Sequence, residues 1–331
     1  MLAIFSSFEQ IKTAMRKKIL FIRQNMPGGT DNYCKSLYNL LRDDADLCPL
    51  PVADIPAIPS RLFHYYYKSQ PLEEAIREAD IVHINGYTAM GSIQAMRTAH
   101  RLGKKVVYTA HWHPFSCLRH PLLGKLFFRL LFQPIIRKCA DVVTTINYED
   151  YKFFTTFHHN VVRIPHWFQP LAIDPVKKKP NMILFVGRTD DPVKGIEHLY
   201  QLPRGQYEVH CAGRGTIARD DFHQHINLSP DELAQLYAET SLVVVPSKYE
   251  AFSYVTLEAM SYGTPVLMSQ NVRIADYLDG ISGWRLFRYS DYVDFLQKAQ
   301  QTIGTTVETA KIIEAFSPEK SKETYRSVYL E

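Results

Sequence analysis

Leu242-Val-Val-Val245 leads through Pro246 into Ser247-Lys-Tyr-Glu-Ala-Phe-Ser-Tyr-Val-Thr-Leu-Glu-Ala-Met-Ser-Tyr-Gly-Thr-Pro265, and this stretch decides how the chain is read. Four consecutive apolar residues, closed by a proline, predict a short strand buried on both faces. A loop carrying Glu250 follows. A helix is expected from near Tyr254 to Tyr262, with Gly263 stopping it. That order puts Glu250 at the carboxyl end of the strand and Glu258 about a turn inside the helix. The amides of Ser253 and Tyr254 then stand at a helix N-terminus, a favourable position for a phosphate. A carboxylate accepts two hydroxyl hydrogen bonds at once, so two glutamates here suit recognition of a polyol. A lone glutamate would more ordinarily favour a helix dipole or face solvent. It is the pair, in this strand–loop–helix setting, that argues for a site.

Outward from this stretch the same alternation repeats. Ile19–Ile22, Ile81–Ile84, Val106–Thr109, Val142–Ile146 and Val161–Ile164 read as one set of buried strands. Met182–Val186, Tyr207–Cys211, Leu242–Val245 and Pro265–Met268 read as a second. Helical patterns separate most of them, including an amphipathic one from about Asp31 with Tyr33, Leu37, Leu40 and Leu41 near one face. Continuous apolar strands alternating with helices predict a parallel sheet covered on both sides. Between the sets, residues 165–180 are rich in proline and lysine and suit an exposed linker. The expected fold is therefore α/β, with two Rossmann-like domains facing a central cleft. Their bounds are 1–170, with 1–16 standing as an extension at its head, and 171–316. A last helix, 317–331, carries Tyr325, Val328, Tyr329 and Leu330 at helical spacing and is expected to cross back to the first domain. Ligands of open α/β sheets sit outside the carboxyl ends of the strands.

Composition narrows the class. Of 331 residues, 46% are hydrophobic and 22% charged, as in ordinary globular proteins with room for large cores. The five cysteines, Cys34, Cys48, Cys117, Cys139 and Cys211, are odd in number and contain no CxxC pair. That favours reduced thiols in a cytosolic setting over disulfides or a zinc site. A net charge of +4 is too weak to imply a nucleic-acid partner. No apolar run reaches the length of a membrane span. The first residues lack the basic head of a signal peptide. Arg16, Lys17 and Lys18 directly precede the first strand, and Met15 as the true start and residues 1–14 as a short extension are both open readings.

Four further loops bear chemistry. In Ile183-Leu-Phe-Val-Gly-Arg-Thr-Asp-Asp-Pro-Val-Lys-Gly195 a strand feeds a loop with Arg188 and Lys194, then a helix. Two cations at a strand's end can neutralise a diphosphate, although many such loops are merely exposed and basic. Pro27-Gly28-Gly29-Thr30 follows the first strand, and glycines there let backbone approach a phosphate. Tyr108-Thr-Ala-His111-Trp-His113-Pro114 ends a strand; its His-x-His pair resembles metal ligands, but no carboxylate or histidine set stands near it. His158, His159 and His166 read as incidental surface histidines. Residues 119–138 are basic and apolar, with Lys125 and Arg129 on one helix face. They suit either a core helix with a cationic edge or a membrane interface, and the two are compatible.

Taken together these motifs resemble the retaining glycosyltransferases of family 4, glycosyl transferases group 1, which have the GT-B fold. Glu250 and Glu258 match the family's Glu-x7-Glu motif, and Glu258-Ala-Met-Ser-Tyr-Gly-Thr-Pro-Val266 fits it too. Where the family usually reads Glu-Gly-Phe-Gly-Leu, this chain has Glu250-Ala251-Phe252-Ser253-Tyr254. The resemblance implies that Glu258 binds the ribose of a nucleotide-diphosphate sugar and Glu250 the transferred sugar. It implies that Phe252, Ser253, Tyr254 and Val255 line the donor, that Arg188 and Lys194 hold its diphosphate, and that Gly28 and Gly29 lie against the phosphates. His111 would stand near the transferred sugar. With Arg188, Lys194, Glu250 and His111 as the catalytic set, no metal or other cofactor is expected. The acceptor would be a hydroxyl of a bacterial surface polysaccharide or a lipid-linked glycan. The setting would be cytoplasmic, at the inner face of the cell membrane if residues 119–138 meet lipid. A non-catalytic GT-B partner subunit and a sugar-nucleotide epimerase are the alternatives. The absence of GxGxxG after the first strand disfavours a dinucleotide enzyme.

Overall fold

The computed structural model describes residues 16–22, 29–51, 55–60, 64–86, 90–111 and 121–331. The chain divides into two compact units. One ends at Ile164 and also includes Ser321–Glu331; the other is Pro165–Lys320.

The first unit is built on six parallel strands: β1 (Lys17–Ile22), β2 (Leu47–Pro49), β5 (Ile81–Asn85), β6 (Lys105–Ala110), β7 (Val142–Thr145) and β8 (Val161–Arg163). A short antiparallel pair, β3 (Ala57–Ser60) and β4 (His64–Tyr67), lies apart from them. The sheet order is β2-β1-β5-β6-β7-β8. Every residue of β5 is buried, as a central strand with helices on both faces requires. The helix Gly29–Leu41 turns Tyr33, Leu37 and Leu41 inward, while Leu40 is only half-buried. Residues 121–139 form one helical run with a π-turn at Phe128–Phe132. Pro134 has no amide to give the carbonyl of Leu130, and the π-turn falls immediately before it. Phe128, Phe132 and Ile136 enter the core with Tyr108 and Phe154.

The helix Pro318–Leu330 brings Tyr325, Val328 and Tyr329 into the first unit's interior. Buried polar groups must find partners, and here they find one another. The Tyr329 hydroxyl lies 2.6 Å from Nδ1 of His83, whose Nε2 lies 2.5 Å from the hydroxyl of Thr109. Thr109 is hydrogen-bonded to Thr144, and Tyr33 to Tyr325, hydroxyl to hydroxyl. Arg326 closes the end of the helix on Asp44 and Asp46.

The second unit has its own six-stranded parallel sheet: β9 (Met182–Val186), β10 (Glu208–Ala212), β11 (Phe222–His225), β12 (Leu242–Val245), β13 (Val266–Ser269) and β14 (Trp284–Phe287). Its order is β11-β10-β9-β12-β13-β14, which in chain order is 3-2-1-4-5-6, the dinucleotide-binding arrangement. The order reverses between β9 and β12.

Several expectations need correction. The described chain leaves the first unit after Ile164 rather than near residue 170, and returns to it at Ser321. The segment after Ile164 is not simply an exposed linker. His166 and Trp167 are buried, and Lys178 donates to the carbonyls of Ala238 and Thr240 and to Oγ1 of Thr264. Burial holds that ammonium down at a pKa of about 8. The loop after β9 leads into a 3₁₀ turn, Ile196–Gln201, not an α-helix. His158 is buried, with Nε2 donating to the carbonyl of Ala140 and Nδ1 accepting from the amide of Asn160, so it is no surface histidine; His159 is exposed.

Candidate functional site

The carboxyl ends of β9 and β12 flank the point where the second sheet reverses direction, the place where open α/β sheets take ligands. After β9, Gly187 turns the chain, with its amide on the carbonyl of Ala212, and Arg188 projects to solvent. Its guanidinium reaches Asp191 at 2.8 Å, which pushes the arginine pKa up. Asp191 is partly desolvated, yet the hydrogen bonds from Arg188 and from the amide of Val193 hold its carboxyl below the usual range.

Gly195 fixes the next turn. Its φ is +70°, and a Cβ there would stand 2.1 Å from the carbonyl oxygen of Pro246. The glycine lets the β9 loop press against the end of β12, and the amide of Lys248 bonds the carbonyl of Val193 at 2.8 Å. The contact presents Lys194 to Glu250. The Nζ of Lys194 lies 2.9 and 3.3 Å from the two carboxylate oxygens, and Ser247 Oγ donates to the nearer one at 3.0 Å. The backbone of Glu250 is pinned to Asn271 and Arg273. The side chains of Lys194 and Glu250 keep 29% and 24% of their exposure, so the pair is screened from water and still reachable.

The helix after the loop runs Tyr254–Ser261 and ends at Gly263, whose φ of +70° serves the stop. Ser253 caps it: the amide of Thr256 donates to Ser253 Oγ at 3.2 Å. Ser253 has an extended backbone, φ −174°, so a non-glycine residue stands there without strain. Phe252 is buried among the rings of His166, Tyr254, Tyr277 and Phe316, so its side chain serves packing. His166 stacks on Tyr254 at 4.9 Å between ring centres, which corrects its reading as a surface residue. Val255 is half-buried. Glu258 accepts from the hydroxyl of Tyr237 at 2.7 Å. Burial raises its pKa, and the Tyr237 hydrogen bond partly offsets that.

Arg188, Lys194, Glu250, Ser253 and Glu258 are thus carried by two loops and one helix of a single unit. His111 belongs to the first unit, at the end of β6. Its Nε2 lies 3.0 Å from Asn85 Oδ1 and its ring meets Tyr33 edge-on at 4.6 Å. Burial depresses its pKa to about 3, so the imidazole is neutral. Gly29 opens the helix after β1; Gly28 and His113 lie outside the described residues. Sequence reasoning did not single out Ser247, Tyr237 or Asn85. Only the fold brings them to the glutamates and the histidine, and a hydroxyl or amide carries no local motif.

Residues 180–304 match the family model for glycosyl transferases group 1, and this part of the chain is a domain of that family. The chain as a whole has the GT-B fold: it superposes over 95% of its length on 99% of Anabaena HepE in complex with UDP and glucose, at TM-score 0.68 and 13% identity. Among curated proteins it is similar to an MMP alpha-(1->4)-mannosyltransferase of Mycolicibacterium hassiacum, 26% identical over 58% of this chain and 53% of that one. It is also similar to a lipopolysaccharide 1,2-N-acetylglucosaminetransferase of Salmonella typhimurium, 45% identical over 18% of this chain and 16% of that one. The chain spans about half the length, 53%, of the mannosyltransferase and less of the second relative.

Proposed function

We propose that the chain is a retaining glycosyltransferase that moves a sugar from a nucleotide-diphosphate sugar to an acceptor hydroxyl. The observation that carries this reading is the Lys194–Glu250 pair, 2.9 Å across the ends of β9 and β12 in a group 1 domain. Breaking a sugar–phosphate bond builds positive charge on the ring and negative charge on the leaving diphosphate. Arg188 and Lys194 neutralise the diphosphate, which is electrostatic stabilisation by groups already in place. Glu250 takes hydroxyls of the transferred sugar, and Glu258 those of the ribose while Tyr237 holds one of its oxygens. The first amides of the Tyr254–Ser261 helix face the phosphates. Protein cations do the work a divalent metal would otherwise do.

The acceptor in this reading is a bacterial surface polysaccharide or lipid-linked glycan, which the name of the Salmonella relative supports. The helical run from Pro121 supports work at the inner face of the membrane. While Phe128 and Phe132 are buried, Leu122, Leu126 and Leu130 are 80%, 54% and 66% exposed at four-residue spacing, with Lys125 and Arg129 among them. Leucines with interleaved cations suit an anionic lipid interface. No helix among the described residues is long and apolar enough to cross a membrane.

The test is nucleotide release from a panel of UDP- and GDP-sugars with a lipid-linked acceptor. Transfer is expected with one donor and lost in Lys194→Ala and Glu258→Ala. Full activity in both variants refutes the site. Calorimetry that finds no binding of any sugar nucleotide refutes the enzyme reading and favours a non-catalytic partner subunit, and donor isomerisation without acceptor favours an epimerase.

A further inference from the structure

On β10 and β11 the residues Glu208, His210, His223 and His225 share one face of the second sheet. Strand alternation sends Val209, Cys211 and Phe222 into the apolar core on the other face. The strands are parallel and in register, with His210 opposite His223 and Ala212 opposite His225. One donor atom from each of Glu208, His210 and His223 falls within 4.8 Å of the others. His210 Nε2 is 2.8 Å from Glu208 Oε1, and His210 Nδ1 is 2.8 Å from His225 Nε2. None of these four residues has a part in the transfer reaction.

We propose that Glu208, His210 and His223 bind a zinc-class divalent cation, with His225 as the group that orients His210. Two imidazoles and a carboxylate are the donors such an ion prefers, whereas magnesium and calcium need oxygen sets. Tetrahedral neighbours at ordinary zinc bond lengths stand about 3.4 Å apart. The His210–Glu208 contact must open by roughly 0.6 Å to reach that spacing, and Glu208 and His223, both exposed, can move. The ion takes the position of the hydrogen between His210 Nε2 and Glu208 Oε1, and exchange with solvent moves the hydrogen of His210 to its Nδ1 and that of His225 to its own Nδ1, with no net proton released. His210 then carries its hydrogen on Nδ1 and donates it to His225, the outer-shell bond that metal-binding histidines ordinarily make. The nearby ammonium of Lys179 is paired with Glu239 at 2.9 Å. Because β11 is the edge of its sheet, the ion clips an edge strand to its neighbour.

The full chain, stripped with EDTA and dialysed, is titrated with zinc chloride and magnesium chloride by calorimetry, and with cobalt chloride by visible absorption. Expected are one zinc per chain, no magnesium heat and the intense cobalt bands of a four-coordinate site. His223→Ala, at an exposed position that should not disturb folding, is expected to weaken zinc at least about tenfold, and His225→Phe about tenfold or more. His159→Ala, an exposed histidine elsewhere, leaves binding unchanged. Absence of stoichiometric zinc binding, or equal affinity in His223→Ala and the parent chain, overturns the proposal.

Discussion

Replacing Gly195 by alanine tests whether the β9 loop is held against β12 by a residue without a side chain. Two penalties apply. The backbone at φ +70° lies in the left-handed region, which costs a residue with a Cβ about 1–2 kcal/mol. The new Cβ would also stand 2.1 Å from the Pro246 carbonyl oxygen, where contacts below 3.0 Å are not sustained, so loop and strand end must part by roughly 1 Å. Gly205 separates the two effects. It lies in the same unit, has φ +74° and has nothing within 4 Å of the Cβ position. Gly205→Ala should therefore cost only the conformational penalty, about 1–2 kcal/mol, and leave transfer intact. Gly195→Ala should cost about 1–3 kcal/mol more, as overpacking typically does. Because Lys194 is the preceding residue, a 1 Å displacement should also lower transfer about a hundredfold. Urea denaturation of both variants, with donor-dependent rates on each, measures the two effects. Equal stability and equal activity in the two variants would refute the role assigned to the Gly195–Pro246 contact.

Three further outcomes are expected. Glu258→Gln keeps an acceptor for Tyr237 and removes a buried charge, so the chain should be no less stable; donor KM should rise about ten- to a hundredfold from the loss of charged hydrogen bonds. A rise in stability with unchanged KM would remove Glu258 from the donor site. Burial, with His111 nearby, holds His83 at a pKa of about 3 against 6.5 unfolded, so below pH 6.5 the unfolded chain binds more protons than the folded one. Unfolding free energy should fall by about 1–2 kcal/mol between pH 6.5 and 5 on account of His83, and a His83→Asn chain that shows the same slope would contradict this. Leu122→Ser with Leu126→Ser and Leu130→Ser should abolish sedimentation with anionic vesicles while leaving thermal stability within a few degrees, since all three side chains are exposed. Unchanged sedimentation counts against the membrane reading.

The interior of both sheets was legible in the sequence because buried parallel strands are continuous apolar runs. Met182–Val186 and Leu242–Val245 have the bounds their side chains suggest. What escaped were strands whose residues do not look buried. Phe222–His225 is an edge strand of mostly polar residues, Leu47–Pro49 holds a proline at its end, and Trp284–Phe287 carries a half-exposed alternation. Missing β11 hid the histidine–glutamate cluster, since only strand pairing brings His223 to His210, thirteen residues away. In the candidate site the motif residues were readable, but their supports were not. Tyr237 lies on another helix and is joined to Glu258 by the fold alone, and Ser253 shows its role only as the helix cap.

The buried contacts of the last helix also set a timetable. Tyr325 and Tyr329 meet Tyr33 and His83 across 292 and 246 residues of chain, so the unit whose sheet emerges first during synthesis is the one that must wait for Ser321–Glu331. Until those residues leave the ribosome, Nδ1 of His83 lacks the hydroxyl of Tyr329, and the first unit's sheet stays an unfinished body throughout synthesis of the second unit. A stop codon at Ser321 would spare every loop of the second unit named above and still leave the first unit without its keystone.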